Sequence, residues 1–320
     1  MPDAAHIQEL YDALSAAGPA VDGVPHALSF TSENDGPHVV FGIMVHGDET
    51  GALPAAIQFA HELTSGAQPY VGRVSLFIGN PAAGLAGRRF LEADLNRVFI
   101  DTDADSIEHR RSRQLRRILD TADLFVDFHQ TIEHTVSPFY IFPWSPQGEA
   151  WVRALGAAPR WVTRAPGQSF SAGTCCADEY VRNRGLPALT VELSQQGFRP
   201  EAEALALRTM RRTLAVASGE LPRWGPLPEC LQTAFSQRFS DPAMRLRPGL
   251  SNFQPVDRGE LLSAPGTPEL VCPTEGLLMF PKYPPRDEAG LALSPRPGEI
   301  YRVLRPIHGT PAEHYATGAP

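Results

Sequence analysis

Short apolar runs alternate with amphipathic helical patterns over the first two thirds of this 320-residue chain. The strand-like and helix-like segments, in chain order, are 38–46, 51–63, 73–80, 106–120, 123–129, 138–144, 188–194 and 201–217. Such β–α–β alternation arranges successive strands in parallel and covers the sheet with helices. The sequence therefore predicts an α/β fold with a mostly parallel or mixed sheet flanked by helices.

The sequence pattern changes near residue 222, where the proline-rich segment PRWGPLPE begins. Four short strand patterns interrupted by glycine and proline follow it: GELLSAP (259–265), ELVCP (269–273), GLLMFPKYP (276–284) and EIYRVL (299–304). Frequent turn residues between short strands are typical of small β domains. We therefore expect a catalytic domain over 1–222 and a smaller β-rich C-terminal domain over 223–320.

Charge and hydropathy exclude several classes of protein. The formal net charge of −8 disfavours a nucleic-acid or anionic-membrane partner, and we expect the arginine-rich helix 106–120 to present a solvated face. The longest nearly apolar run, 39–45, is far shorter than the roughly 20 residues of a membrane-spanning helix. The first ten residues resemble no secretory signal, and the four cysteines show no CxxC spacing. A cytoplasmic protein without nucleic-acid or membrane partners is predicted.

Two histidines close predicted strands. His46 ends the first run within the tetrad HGDE, and His129 ends the run 123–129 within VDFH. Glu49 follows His46 by three positions, and Gly47 permits a tight bend between them. Because the carboxyl ends of parallel strands meet at one edge of the sheet, these side chains can converge on one ion. Two imidazoles and one carboxylate are a ligand set of catalytic zinc sites with an open position.

Each of these residues also has an ordinary structural interpretation. A single histidine at a strand end is more often structural than a metal ligand. Glu49 alone would be a carboxylate stabilised in the first turn of a helix. Asp48 is the weaker ligand candidate because it lies one position away from the favourable spacing. The metal hypothesis depends on His46 and His129 together.

In the proline- and glycine-rich segment 80–99, NPAAGLAGRRFLEADLNRVF, two consecutive arginines, Arg88 and Arg89, are followed by the tetrad Asp94-Leu95-Asn96-Arg97. Arginine binds planar carboxylates through two hydrogen bonds, and asparagine adds a directed amide donor. Beside a metal ion, such a loop would hold an anionic substrate. Alternatively, Arg97 would pair with Asp94 and Arg88 would lie in solvent.

HGDE, the block from NP to DLNR, DFH and the later TVEL resemble the succinylglutamate desuccinylase/aspartoacylase family of zinc-dependent deacylases, which are relatives of the zinc carboxypeptidases. The resemblance covers about 39–197, and the β-rich tail is similar to the C-terminal domain of that family. It implies a zinc carboxypeptidase-like fold and one Zn²⁺ per chain, bound by His46, Glu49 and His129.

The resemblance also implies catalytic roles. Arg89 would polarise the scissile carbonyl, and Glu192 would be the general base. Asn96 and Arg97 would hold a substrate carboxylate, with Asp94 supporting their loop. Independently of the resemblance, Glu192 is one carboxylate within the apolar strand pattern 188–194, where a charge is unfavourable without a partner or a function.

Two further substrate-binding residues are implied by position. Arg182 lies ten residues before Glu192, as does the arginine that contacts a second substrate carboxylate in aspartoacylase, and Tyr283 corresponds to the C-terminal tyrosine of the family. The tetrad HGDE differs from the HGNE expected of the family. The segment 130–144 does not distinguish the branches of the family, so the acyl group and the amino acid stay open.

The expected activity is hydrolysis of the amide bond of an N-acyl amino acid, such as N-acetylaspartate or N-succinylglutamate. The expected partner is this small anionic substrate, and a homo-oligomer is compatible with the sequence. One alternative is a zinc carboxypeptidase-type peptidase, which would use the same residue types. Another is a non-catalytic relative that binds a metal or a carboxylate, although retention of Glu192 argues against it.

Overall fold

The structure is a computed structural model that describes residues 3–221, 224–294 and 296–316. It confirms the predicted α/β class, with a mixed sheet flanked by helices and a β-rich C-terminal region. The helices are α1 (Ala4–Ala16), α2 (Leu53–Ser65), α3 (Pro81–Leu85), α4 (Ile107–Leu119), α5 (Pro146–Leu155), α6 (Ala177–Arg182), α7 (Pro200–Ala217) and α8 (Pro311–Ala316). The strands are β1 (Ala27–Thr31), β2 (His38–Ile43), β3 (Arg73–Ile78), β4 (Leu124–Thr131), β5 (Phe139–Ile141), β6 (Arg160–Val162), β7 (Ala188–Gln195), β8 (Glu229–Arg238), β9 (Pro255–Val256), β10 (Gly276–Met279) and β11 (Glu299–Pro306).

The described strands form one sheet in the order β1-β3-β2-β4-β7-β5-β6-β8-β11-β10-β9. Strands β3, β2, β4 and β7 are parallel to one another, as the alternation of the sequence predicts, whereas β1 is antiparallel to β3 and β5 is antiparallel to β7. The C-terminal strands are antiparallel to one another and join the sheet where β8 pairs in parallel with β6. The predicted domain boundary near residue 222 falls on residues 222 and 223, outside the described part of the chain.

Helices cover both faces of the parallel part of the sheet. Successive residues of β2 alternate between the faces, so Val39 and Phe41 pack with α1, α2 and α7, whereas Val40 packs with α4 and α6. Strands buried on both faces appear in the sequence as continuous apolar runs. This explains why the period-two pattern is absent from the central strands.

Several element boundaries differ from the predictions. The run 38–46 forms a strand only to Ile43, because Met44 has a φ of 53° and turns the chain away from the sheet. GELLSAP and ELVCP form isolated bridges instead of strands. Proline in both segments, and glycine in the first, restrict regular pairing. The strands expected in GLLMFPKYP and EIYRVL are confirmed as β10 and β11.

The four cysteines are buried free thiols. Among the described helices, none combines the length and the apolar character that are needed to cross a bilayer.

Candidate active site

Three predicted metal ligands converge at the carboxyl edge of the parallel strands. Strands β2 and β4 are neighbours, so the chain leaves both at the same edge, close to His46 and His129. Glu49 immediately precedes a short 3-10 turn, Thr50–Ala52, that leads into α2. All three side chains are buried, and their ligand atoms lie close enough to hold one metal ion.

The distances among these ligand atoms suit a small cation. Nδ1 of His46 is 2.7 Å from Oε1 of Glu49, and Nδ1 of His129 is 2.8 Å from Oε2 of the same carboxylate. The two Nδ1 atoms lie 3.2 Å apart. Ligand–metal distances of about 2.0–2.2 Å in a tetrahedral site place neighbouring ligand atoms roughly 3.3–3.6 Å apart, so these atoms need to separate by less than about 1 Å to admit the ion. The geometry and the nitrogen and oxygen donors therefore fit zinc.

A carboxylate lies against the outer nitrogen of each histidine. Nε2 of His129 is 2.9 Å from Oδ2 of Asp127, and Nε2 of His46 is 3.2 Å from Oδ1 of Asp94. Carboxylates in this position fix the orientation and tautomer of metal-binding imidazoles. Sequence analysis missed this role of Asp127. The sequence feature that could have revealed this role is the Asp-x-His spacing, because residues two positions apart on a strand lie on the same face of the sheet.

The electrostatic balance keeps Glu49 ionised. Burial would raise the pKa of Glu49, but His46 and His129 outweigh it and hold the pKa below its usual range. Burial would likewise lower the pKa of His129, yet Asp127 and Glu49 raise it well above the usual value. The buried imidazoles and carboxylates thus stabilise one another, which offsets the free-energy cost of removing their charges from water.

Glu192 lies beside the metal-ligating group. It is in register with His129 on the neighbouring strand, so the two side chains share one face of the sheet. Its side chain is buried, and Oε2 has no hydrogen-bond partner within the described structure. Burial is the largest influence and raises the pKa of Glu192 to about 7, although His129 acts in the opposite direction. Such a carboxyl group exchanges a proton near neutral pH.

The two consecutive arginines occupy different environments. Arg88 is exposed, as the alternative interpretation expects, whereas Arg89 enters the site. Nη2 of Arg89 lies 2.6 Å from Nε2 of His46, and Nη1 lies 3.4 Å from Oε1 of Glu49. Nη2 also donates to Asp94 at 3.3 Å. Arg89 is therefore the arginine adjacent to the metal-ligating group.

A buried carboxylate from α4 holds the loop that carries Arg89. Glu108 is 0% exposed, and it accepts hydrogen bonds from the backbone N–H groups of Leu91 and Ala93 and from the side chain of Asn80. These donors outweigh burial and lower the pKa of Glu108. Sequence analysis assigned Glu108 only to the start of a helix. No spacing in the nearby sequence indicates that a carboxylate at the start of a helix will accept hydrogen bonds from a separate loop.

Asn96 and Arg97 lie in the 3-10 turn Leu95–Arg97, which Asp94 caps. Oδ1 of Asn96 accepts from the N–H of Ala177 at 2.9 Å. Nη1 of Arg97 donates to the carbonyl of Asn96 at 2.6 Å and to Sγ of Cys176 at 3.4 Å. The alternative Arg97–Asp94 ion pair is not among those formed by the described residues. Arg97 nevertheless contributes to lowering the pKa of Asp94, and its guanidinium carbon lies 4.7 Å from the centroid of the Phe170 ring.

Arg182 and Tyr283 bind other parts of the protein. Nη1 of Arg182 pairs with Oδ2 of Asp178 at 2.6 Å. The hydroxyl of Tyr283 donates to the carbonyl of Arg247 at 2.7 Å and accepts from the N–H of Leu250 at 3.2 Å. Within the described residues, neither side chain hydrogen-bonds to the metal-ligating group. Their roles in substrate binding stay predictions.

Gly47 is needed for space and not for a special backbone angle. The predicted tight bend is present, since the N–H of Glu49 donates to the carbonyl of His46 at 3.1 Å, but Gly47 does not belong to the glycines with positive φ. A Cβ atom at this position would lie 2.3 Å from the backbone nitrogen of Gly84 and 2.5 Å from the carbonyl carbon of Ala83. The glycine therefore permits close packing between the HGDE tetrad and α3.

Comparison with known proteins identifies relatives. Residues 35–217 match the family model of the succinylglutamate desuccinylase/aspartoacylase catalytic domain. A succinylglutamate desuccinylase of Serratia proteamaculans is 27% identical over 292 residues, which are 82% of this chain and 83% of the relative. A structure of succinylglutamate desuccinylase from Vibrio parahaemolyticus has a TM-score of 0.69 at 17% identity and covers 89% of this chain and 87% of that chain. A structure of succinylglutamate desuccinylase/aspartoacylase from Rhodobacter sphaeroides has a TM-score of 0.66 at 20% identity and covers 89% of both chains.

The structural matches share the fold, and the family match carries the assignment. It spans more than half of the chain, including the strands and loops that position the metal-ligating group, Arg89 and Glu192. On this evidence the chain belongs to the succinylglutamate desuccinylase/aspartoacylase family of deacylases.

Proposed function

We propose that this protein is a zinc-dependent amidohydrolase that removes the acyl group from an N-acyl amino acid. The preferred substrate is acidic, in the manner of N-acetylaspartate or N-succinylglutamate. One observation carries the proposal: the buried group of His46, Glu49 and His129 lies beside the buried carboxyl of Glu192, whose Oε2 has no hydrogen-bond partner among the described residues. Membership of the family and the names of its relatives support amide hydrolysis.

His46, Glu49 and His129 would hold the zinc ion, with Asp127 and Asp94 orienting the two imidazoles. When bound, zinc acidifies water to a pKa of about 7 and polarises a carbonyl oxygen. Three protein ligands leave a position of a tetrahedral site open, which is typical of catalytic zinc centres.

Glu192 would move the proton. As a carboxylate it accepts a proton from the attacking water, and it then donates that proton to the amine nitrogen as the carbon–nitrogen bond breaks. The products are a carboxylate and a free amino acid, so the atoms of one water are fully used. The pKa of Glu192, which burial raises to about 7, suits both halves of this cycle.

Arginine side chains would bind the substrate. Arg89 lies beside His46 and Glu49, where its guanidinium can stabilise the negative charge that develops on the carbonyl oxygen. Arg97, with Asn96 next to it, would hold a carboxylate of the substrate through paired hydrogen bonds. Together they orient the amide carbon toward the metal-ligating group.

The variant Glu192→Gln tests the proposal. It keeps the shape of the side chain but cannot accept a proton, so turnover should fall by roughly 10²–10⁴-fold while zinc binding is retained. Release of free amine from N-acetyl-L-aspartate and N-succinyl-L-glutamate measures turnover, and metal analysis measures zinc content. Glu229→Gln is the control, because Glu229 lies on β8 in an ion pair with Arg160 and away from this group.

Wild-type turnover in Glu192→Gln would contradict the role of Glu192. An acidic dipeptide in the same assay separates the deacylase from the peptidase alternative. Faster release of the C-terminal amino acid from the dipeptide than from either N-acyl substrate would favour the peptidase.

A further inference from the structure

Gln130 contacts the metal-ligating group through its backbone and the neighbouring turn through its side chain. It directly follows His129 on β4 and is 3% exposed. The backbone N–H of Gln130 donates to Oε2 of Glu49 at 3.1 Å. Its side-chain Oε1 accepts from the N–H of Gly51 at 2.7 Å, within the 3-10 turn that follows Glu49. One residue thus holds both the Glu49 carboxylate and the backbone just after it.

The amide nitrogen of Gln130 binds the strand that carries Glu192. Nε2 lies 2.9 Å from the carbonyl oxygens of Gln195 and Gly197, and 3.2 Å from Oγ of Ser194. These acceptors belong to the end of β7 and to the segment after it. An amide nitrogen has two hydrogens, so the three acceptors share them. The side chain therefore joins the turn after the metal ligand to the end of β7.

The pairing of β4 with β7 is irregular at this position. His129 is in register with Glu192, and Thr131 is in register with Gln195. Between these pairs β7 has two residues, whereas β4 has only Gln130. Such a bulge leaves part of the ladder unpaired and changes the direction of nearby side chains, often beside active sites. The Gln130 amide supplies hydrogen bonds to β7 directly after the bulge and so fixes the path of the strand there.

Gly51 leaves the space that the Gln130 amide occupies. A Cβ atom at position 51 would lie 2.6 Å from Cδ and 2.9 Å from Oε1 of Gln130. These atoms are the end of a flexible side chain, so an added methyl group would displace the amide. Gly51→Ala therefore disturbs the same contact from the opposite side, without changing Gln130.

We propose that Gln130 is a positioning residue for the metal centre. Its amide holds the turn after Glu49 against the end of β7, and so keeps Glu49 and Glu192 in a fixed arrangement around His129. This inference rests on the proposed zinc site and deacylase function, and it adds to them a residue that acts through the groups it binds. Without the amide, the turn and the strand end can separate, which weakens metal ligation and misplaces the proton-transferring carboxyl.

Zinc affinity tests the proposal without any measurement of turnover. Gln130→Met removes the amide and keeps a side chain of similar length. Its affinity for Zn²⁺, measured by competition with a chromophoric chelator, should fall roughly 10- to 100-fold, as it does when the outer contacts of metal ligands are lost. Gly51→Ala should also weaken zinc binding. In the double variant the loss should be smaller than the product of the single losses, because both substitutions remove one contact.

Asn252→Leu is the matched control. Asn252 is also a buried amide that joins separate backbone segments, being 1% exposed. Its nitrogen donates to the carbonyl oxygens of Glu133 and His134 at 3.2 Å, and its oxygen accepts from the N–H of Phe280 at 2.8 Å. These partners lie outside the turn 50–52 and outside β7. Urea unfolding should show a loss of stability, whereas zinc affinity should stay within about threefold of wild type.

Turnover separates this inference from the deacylase function itself. With N-acetyl-L-aspartate or N-succinyl-L-glutamate, kcat per bound zinc should fall roughly 10- to 100-fold in Gln130→Met, while KM stays within about threefold. If neither substrate is hydrolysed but Gln130→Met loses zinc affinity and Asn252→Leu does not, the positioning role stands and the deacylase assignment fails. Undiminished kcat per bound zinc in an active enzyme would overturn the part of the inference that concerns Glu192.

The zinc measurements can overturn the inference irrespective of turnover. Wild-type affinity in Gln130→Met or in Gly51→Ala would show that the amide does not position the metal ligands. Equal losses in Gln130→Met and Asn252→Leu would show a general effect of stability instead of a specific one. Absence of zinc binding to the wild-type protein would remove the inference together with the proposed zinc site.

Discussion

Replacing Asp127 with asparagine isolates the contribution of one carboxylate to metal binding. Asp127 is 0% exposed, and its Oδ2 lies 2.9 Å from Nε2 of His129, whose other nitrogen faces Glu49. Asparagine has nearly the same shape and keeps one oxygen acceptor for His129. The substitution therefore removes the negative charge and leaves the hydrogen bond in place.

The structure gives two separate magnitudes for Asp127→Asn. Loss of an outer carboxylate behind a metal-binding histidine lowers metal affinity about 10- to 100-fold, which corresponds to about 1.4–2.7 kcal/mol. Independently, Oδ1 of Asp127 has no partner among the described residues, so a new amide nitrogen in its place would be a buried donor without an acceptor. Such a donor costs about 1–3 kcal/mol of folding stability.

Zinc affinity is measured by competition with a chromophoric chelator, and stability by urea unfolding of the metal-free protein. The control is Asp178→Asn, which changes an equally buried carboxylate that bonds to Arg182 and Thr190 but not to His129. The control should lose stability and keep its zinc affinity within about threefold of wild type. Unchanged affinity in Asp127→Asn, or equal losses in both variants, would refute the orienting role.

Three further predictions concern packing, pH and metal removal. Gly47→Ala should lose about 1–3 kcal/mol of stability because its Cβ meets the backbone of α3, whereas Gly298→Ala, which has open space around it, should lose little in the same urea assay. Glu108→Gln should lose about 1–3 kcal/mol at pH 7. Because the pKa of Glu108 is lowered below its ordinary value of 4.5, wild type should lose this advantage as the pH falls through the folded-state pKa, and an equal gap at pH 7 and pH 3 would contradict the assignment. Zinc at 100 times its Kd should stabilise the metal-free protein by about 2.7 kcal/mol. Glu49→Gln should abolish most of that gain in thermal melts, and an undiminished gain would exclude Glu49 as a ligand.

The fold class and the convergence of His46, Glu49 and His129 could be predicted because their signals are local. Continuous apolar runs are typical of strands buried on both faces, and parallel strands bring their carboxyl ends to one edge. His46, Glu49 and His129 follow such ends, so topology alone brings them together. Glu192 could also be recognised from the local sequence, because it is the one charged residue within the apolar strand pattern 188–194.

The supporting contacts could not be predicted, because they join residues that are distant in the sequence. Glu108 caps a loop that begins 17 residues before it, and Phe170, between β6 and α6, contacts Arg302 on β11. Gly47 was detected as a special position, but its physical reason depends on the approach of α3, which no local pattern specifies. Long-range packing decides these details, so they require coordinates.

The distribution of unpartnered carboxylate oxygens argues against a protein that only binds a metal. Among the described residues, the buried carboxylate oxygens without a hydrogen bond belong to Asp48, Asp127 and Glu192, all within or beside the metal-ligating group. A buried polar atom without a partner destabilises the fold, so a site with a purely structural role has no reason to retain one. Orientation of His129 explains why the carboxylate of Asp127 is buried, although it uses Oδ2 and leaves Oδ1 without a partner, whereas neither metal ligation nor imidazole orientation involves Glu192. The proposed transfer of a proton through Glu192 would give its free oxygen a function, and proton transfer is needed for catalysis but not for binding alone.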